Sequence, residues 1–560
     1  MRLKSILIGV VVSVLLTLTS CVEGVIPDIF NPDSGETDDP QIEDPYGAEI
    51  GAYSETVTRL YEALSKHDVY NGICCQDAGA TQLTRAFFVC QEQTTDACKC
   101  AWQDSYIVPM NTNTWGDEYN DVIFGVFFRT MQSIASCNEF LRQTTNDKLD
   151  ARSVQSDVRA KIQEYRAEAR MIRALCYWMA MDIFGDVPLV TVDSKEFDLN
   201  NRASAADVYQ FIVDELELLS SDASALPAAR SSYPRMDKGS ALGLLARVYL
   251  NAQTYCGVPA WEKAKQTCER IFNLGYTLCD NYADMFRGDN GENYNAYNEF
   301  LMAIPFNTTN LQSYGGTTFL TCASIDQKYS NLIGAYGWDG ICIDGDYVER
   351  FFDVRNANFE TGEYECDDNR GKMFWIKGRL GEGKMPTNDE VYNFQYGWTC
   401  LKFNDIPHDQ TKDTFKPINT FSSIDLPVIR LGEIYLIYAE ACLRLGDGTP
   451  AQEYIGELAK RAGVDYEFNK LTSWNTEARD WFVAERAREL MWESCRRTDL
   501  IRYDLFCSKE YLWPFKGGES RVGSDFPEYK KVFAIPSKQL EANPNLHNPE
   551  GYSAAAEENK

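Results

Sequence analysis

The chain has 560 residues, with 54 Lys and Arg against 83 Asp and Glu and a formal net charge of -29. That acid excess argues against nucleic acid as a partner, because phosphate binding needs clustered cations. Its 44% hydrophobic and 13% aromatic content can bury a substantial core, and length alone allows about four domains.

Arg2 and Lys4 precede an apolar run from Ile6 to Leu18 that ends in Leu18-Thr19-Ser20-Cys21. The run is short of the roughly 20 apolar residues that span a bilayer, and small residues stand where a signal peptidase would cut. Residues 1–20 are therefore read as a signal peptide, with an uncleaved anchor as the alternative, and Cys21 as the lipidated amino terminus of the mature protein. Several acyl chains, at about 0.8 kcal/mol per buried CH₂, would hold it to a membrane. Residues 21–45 carry eight acids, four prolines and no base after the cysteine, a composition that stays extended as a flexible tether. No later run approaches membrane-spanning length, so the body is expected to be soluble and tethered.

Apolar residues then recur at three and four spacing. Ile50, Tyr53, Val57, Leu60 and Leu64 predict one amphipathic helix, and Tyr119, Val122, Val126, Met131, Ile134 and Leu141 a second. Ile162 to Ile183 predicts a third, stopped by Gly185 and Pro188, and Val208 to Leu219 a fourth, opened by Ser204 and Asp207 as a capping box. Lys238–Gln253 followed by Trp261–Ile271, and Ile434–Leu445 followed by Ala451–Ala462, each fit a helix–turn–helix unit of tetratricopeptide size, about 34 residues. Stacked pairs make a solenoid.

Between Tyr276 and Pro427 the helical rhythm fails. This stretch holds 14 of the 37 glycines and 26 aromatic residues in a polar background. Loops on a rigid scaffold are where binding sites tend to sit, although loop-rich packing has the same composition. The scaffold is accordingly assigned to 46–275 and 428–560 and an irregular insertion to 276–427.

Cysteines and catalytic patterns narrow the function further. Of 18 cysteines, Cys74, Cys75, Cys90, Cys98 and Cys100 crowd one polar stretch where disulfides are plausible. Cys137, Cys176, Cys268 and Cys442 fall on apolar stripes as small buried residues. No Cys-x-x-Cys pair occurs, and His67, His408 and His547 are the only histidines, so neither a metal nor any other cofactor is expected. There is no His-Glu-x-x-His and no Gly-x-Ser-x-Gly. Gly378 to Lys384 mimics a phosphate loop, but Met385 stands where a Ser or Thr would bind magnesium, and the segment reads as a surface turn. Glu485, Glu489 and Glu493 are four apart, and Arg486, Arg488, Arg496, Arg497 and Arg502 supply cations for a structural ion network.

Ala167-Glu168-Ala169-Arg170-Met171-Ile172-Arg173-Ala174 runs into Asp182-Ile183-Phe184-Gly185-Asp186-Val187-Pro188-Leu189. Lys238-Gly239-Ser240-Ala241-Leu242 and Ala246-Arg247-Val248-Tyr249-Leu250 follow, then Asp353-Val354-Arg355 and Pro427-Val428-Ile429-Arg430. Tyr438-Ala439-Glu440-Ala441, Glu485-Arg486, Asp499-Leu500-Ile501-Arg502, Ile535-Pro536 and Asn543-Pro544-Asn545-Leu546 close the series. In this order, and with the lipobox, the chain resembles the SusD/RagB family of outer-membrane nutrient-binding lipoproteins.

The resemblance implies a mainly α fold, a tetratricopeptide-like scaffold of about four helix pairs in a right-handed superhelix with a large loop-rich ligand-binding insertion. It further implies an oligosaccharide or polysaccharide ligand, a SusC-like TonB-dependent transporter as partner, an outer-membrane position facing the cell exterior, and no catalysis. A peptide or other nutrient as ligand, or a surface glycoside hydrolase, are the alternatives. Sugar rings lie on Trp and Tyr faces while polar side chains bond their hydroxyls. In the family, ligand aromatics come from the loop between the first two long helices and from the insertion before the Asp-x-Arg motif. Those regions offer Trp102, just after Asp96, and Tyr314, Tyr336 and Trp338 as the ligand-binding set, with Trp115 and Trp398 in reserve.

Overall fold

A computed structural model describes residues 46–67, 77–194, 202–385, 387, 389–465, 471–519, 521–543 and 545–552. The signal peptide, Cys21, the acidic tether, Cys74 and Cys75 lie outside the described residues.

Helices dominate, as the apolar spacing predicts. Those that build the scaffold are α1 (Ile50–Ser65), α2 (Leu83–Phe88), α3 (Asp121–Gln143), α4 (Ser156–Phe184), α5 (Ala205–Leu219), α6 (Lys238–Leu250), α7 (Trp261–Phe272), α8 (Leu431–Arg444), α9 (Thr449–Ala462), α10 (Thr476–Glu489) and α11 (Arg496–Arg502). Local chemistry sets their ends. Asn120 accepts from the amides of Val122 and Ile123 at the start of α3, and Gly185 ends α4 with φ 70°. Ser204 and Asp207 cap α5 reciprocally, and Asp237 and Ser240 do the same for α6.

From α3 to α9 each helix packs on the next, the arrangement a solenoid needs. The stack is continuous across the long insertion. Phe272 at the end of α7 stacks on Tyr454 of α9 at 4.3 Å and meets Tyr435 and Tyr438 of α8 edge-on. Cys137, Cys176, Cys268 and Cys442 are buried in this core.

The residues between α7 and α8 form turns, two-stranded ladders and short helices such as Gly316–Cys322 and Gly345–Phe352. The longest ladder joins β2 (Phe300–Ile304) to β4 (Leu426–Arg430) antiparallel, with Ile304 opposite Leu426 and Phe300 opposite Arg430. The insertion therefore leaves and re-enters the scaffold side by side. A second ladder joins β1 (Lys99–Cys100) to β3 (Ile341–Cys342), tying the loop before α3 to the insertion.

Buried ion pairs fasten the insertion to the last helices. Arg370 bonds Glu485 at 2.7 Å and Glu489 at 2.9 Å, and Arg430 bonds Glu299 at 3.0 Å, Glu489 at 2.5 Å and Glu493 at 2.7 Å. Lys402 completes Glu493 at 2.6 Å, and Arg461 bonds Glu299 at 2.7 Å. Burial alone would raise Glu489, but the guanidiniums of Arg461, Arg430 and Arg370 hold its carboxyl well below the usual range.

The network is structural, yet four of its five expected cations serve elsewhere: Arg486 pairs with Asp499, Arg496 with Asp96 and Arg502 with Glu440, and Arg497 donates to the carbonyl of Asp182, leaving Arg488 on Glu485. Glu493 is off the helix, which ends at Glu489 before Trp492 and Ser494 turn left-handed. The cations that serve Glu489 and Glu493 come from residues distant in sequence, beyond the reach of i,i+4 reasoning.

Cys90, Cys98 and Cys100 correct the disulfide expectation, being buried free thiols, as are 14 of the 15 described cysteines. Hydrophobic surroundings push Cys90 and Cys342 up to about 12, so they behave as small apolar residues.

Candidate functional site

Three of the four predicted aromatic residues converge at the junction of the β1 loop and the insertion. Trp102 follows β1, where the Ala101 amide donates to the carbonyl of Gly340 at 2.7 Å. Trp338 precedes β3, its amide donating to Cys322 O at 2.7 Å. The ladder thereby carries both tryptophans on neighbouring chain segments. Gly340 has φ 127°, and a Cβ there would sit 2.4 Å from Trp102 Nε1, so the indole lies directly against this glycine.

Tyr314 reaches the same place from another loop. Its ring lies 6.3 Å from Trp338, 4.9 Å from Phe421 and 5.5 Å from His67. Tyr336 is 45% exposed, the most open of the four. Its amide donates to Asn419 O at 3.0 Å, two residues from Phe421. Trp102, Tyr314 and Trp338 are each partly buried, which leaves part of each surface open while the rest packs.

The backing is rigid and polar. The Arg85 guanidinium lies 4.3 Å from the Phe319 ring centroid and 5.7 Å from that of Trp102. It pairs with Asp77, whose Oδ2 also accepts from Tyr106 Oη at 2.6 Å. Gln103, Asp104 and Ser105, exposed beside Trp102, offer donors and acceptors of the kind that bond hydroxyls. Half-open rings backed by a fixed guanidinium and edged by short polar side chains suit a flat, hydroxyl-rich ligand.

Asp96 does not belong with this cluster. It is 7% exposed, and its two oxygens accept from Arg496 at 2.8 Å each, one of them also from Tyr511 at 2.5 Å. Burial would lift it, but the Arg496 guanidinium and these hydrogen bonds hold it below the ordinary carboxylate value. Asp96 fastens the β1 loop to α11, and its ligand-bonding capacity is spent. Both reserve tryptophans are core residues too. Trp115 is stacked on Phe533 at 4.6 Å and donates to Tyr552, and Trp398 is enclosed by Phe359, Tyr364 and Phe374.

Sequence reasoning missed Phe421, Arg85 and Gly340. Only Phe421 left a signal, an aromatic in the polar run Asn419-Thr420-Phe421-Ser422-Ser423. It also missed a cluster elsewhere in the insertion, where Asp289, His408 and Asp409 place metal-ligating atoms within 4.8 Å of one another. Asp289, 2.5 Å from Nδ1 of His408, raises the imidazole pKa by its hydrogen bond. His408 is exposed and far from Asp289 in sequence, so no spacing announced the pair. The Gly378–Lys384 segment is a turn in which Lys384 pairs with Glu349 and Asp346.

Comparison with known proteins places the chain. Residues 298–552 match the family described as SusD family, and residues 62–250 match a family described as starch-binding associating with outer membrane. The starch-binding protein SusD of Bacteroides thetaiotaomicron is 27% identical over 96% of each chain. Among solved structures, a SusD-like protein of Bacteroides fragilis superposes with TM-score 0.67 at 17% identity, covering 91% of this chain and 99% of its own. A surface glycan-binding protein A of Bacteroides fluxus does so with TM-score 0.64 at 17% identity, covering 90% and 100%. With two SusD-type matches on either side of α7, full-length similarity and a shared helical fold, the chain belongs to the SusD family.

Proposed function

We propose that this protein is a cell-surface lipoprotein, held to the outer membrane through Cys21, that binds a glycan and delivers it to a SusC-like TonB-dependent transporter without chemical change. The observation that carries the reading is the convergence of Trp102, Tyr314 and Trp338 from three separate loops, each ring partly open and backed by packed side chains. Tyr336 extends the open surface. The names of the relatives, a starch-binding protein and a surface glycan-binding protein, support the ligand class.

The test is binding of residues 22–560 to a broad panel of soluble polysaccharides. At least one is expected to bind, and Trp338→Ala or Trp102→Ala to weaken it by about 1–3 kcal/mol, the scale of losing a buried aromatic anchor. Failure of every glycan while peptides bind would overturn the ligand class. Incubation with the bound polysaccharide is expected to release no reducing ends. Delivery is tested separately, by co-purification of the tagged lipoprotein with a large outer-membrane barrel.

A further inference from the structure

A second group of open aromatic rings lies outside the site described above, where the segment before α6 meets residues 276–298. Tyr294 is 58% exposed. It stands at 86° to Tyr297 with centroids 5.3 Å apart, so the two rings form a corner. Tyr297 also stacks on Tyr233 at 4.8 Å, and Tyr233 Oη is fixed by donating to Asp425 at 2.6 Å. The corner therefore has one supported ring and one open ring, beside a cavity of about 110 Å³. That is room for several waters or one sugar ring, a water needing about 10–15 Å³ on the same measure.

Arg230 borders this cavity and is held in an unusual way. Its backbone is left-handed, φ 65°, and its amide donates to the Asp237 carboxylate at 2.6 Å. A non-glycine residue in this region carries strain that the surrounding structure must enforce. Gly275 makes room for the side chain, because a Cβ there would meet Arg230 Nη1 at 2.9 Å. The guanidinium bonds Tyr294 Oη at 2.6 Å and Asn298 Oδ1, both uncharged, and lies over the Tyr276 ring at 5.9 Å. Among the described residues no carboxylate forms an ion pair with it. In a chain with 83 acids against 54 bases, an exposed arginine aligned with aromatic rings and leaving N–H donors free is unusual company.

We infer that Tyr294, Tyr297 and Arg230 form a second saccharide contact that takes a single pyranose unit, its C–H face on the tyrosine corner and its hydroxyls on the guanidinium. Stacking and donor groups are the two things such a ring requires. The inference rests on the reading of the chain as a glycan-binding protein. Its role is to add a weak second foothold on a long polymer, raising avidity without changing the first site.

The experiment is saturation-transfer NMR on residues 22–560 with methyl α- and β-glucopyranoside, methyl β-galactopyranoside and methyl glucuronoside, with benzyl alcohol as an aromatic control. In the Trp102→Ala/Trp338→Ala variant, transfer to at least one glycoside is expected to persist. Adding Tyr294→Ala, or separately Arg230→Met, should cut it by roughly threefold or more, as expected for losing one contact of a weak site. Tyr294 is exposed and Arg230 forms no ion pair, so neither change should unfold the chain, which circular dichroism checks. Loss of all transfer with the two tryptophans overturns this second contact and leaves the first site standing. Equal transfer with and without Tyr294, transfer only to benzyl alcohol, or no transfer in the wild type also overturns it. Persistence in the tryptophan variant when no polysaccharide shows dependence on Trp102 or Trp338 overturns the first site alone.

Discussion

Two residues of the β1 loop, six positions apart, have opposite fates. Trp102 rests on Gly340 with part of its ring open, whereas Asp96 is consumed by Arg496. Asp96→Asn is expected to cost about 3–5 kcal/mol of stability, the scale of stranding one partner of a buried pair, and to leave glycan affinity unchanged. Urea unfolding and calorimetric titration on the same variant separate the two effects. Gly340→Val is expected to lower both stability and affinity, because its Cβ takes the space of the indole and its φ of 127° disfavours any side chain. Affinity should fall about as far as in Trp102→Ala, and a fluorescence shift of the displaced indole would report the cause.

For the elements, burial decides how charges act. Glu440 of α8 accepts from both nitrogens of the Arg502 fork and from Tyr503. Burial would raise it, but Arg502 and Arg444 bring its pKa down to about 2 from an ordinary value near 4.5. A carboxylate held low in the folded state stabilises above its unfolded pKa and loses that contribution as pH falls. The stability gap between wild type and Glu440→Gln should therefore be full at neutral pH and shrink between about pH 4.5 and about pH 2, read by urea titration at each pH. A gap independent of pH would contradict the ionised pair. Glu489→Gln should destabilise by about 3–5 kcal/mol, since three arginines would then face a neutral amide. Because Arg370 and Arg430 come from the insertion and its neck, the loss should appear there first, as faster amide exchange around 299 and 370.

Elements with a repeating burial pattern could be read without coordinates. α1, α5, α7 and α9 bury one stripe each, so their spacing survives in the sequence, and Ser204 with Asp207 marked the start of α5 to the residue. The turn of Leu83–Gln93 is buried all round and has no such stripe, which is why it gave no periodic signal. The aromatic cluster was half visible. Trp102 and Trp338 stand out as large rings in polar loops, but their meeting depends on the β1–β3 ladder, a pairing of residues more than 200 positions apart. Asp96 misled because its neighbours Thr94 and Thr95 are polar in sequence and wholly buried in the fold.

At the scale of the molecule, the thiols carry little of the stability. The 15 described cysteines are unbridged and 14 of them buried, so the melting temperature should be the same with and without reductant, and thiol reagent should label the chain fully only after denaturation. A drop in melting temperature on reduction would show that cross-links matter.

The antiparallel pairing of Phe300–Ile304 with Leu426–Arg430 has a wider consequence. The helices close behind this stem through Phe272 and Tyr454, while residues 305–425 are moored to them again by the β1–β3 ladder and by Arg370 and Lys402. An exchange of this appendage has to keep those moorings, whereas the rings and loop tips lying between them can change without disturbing the supporting framework.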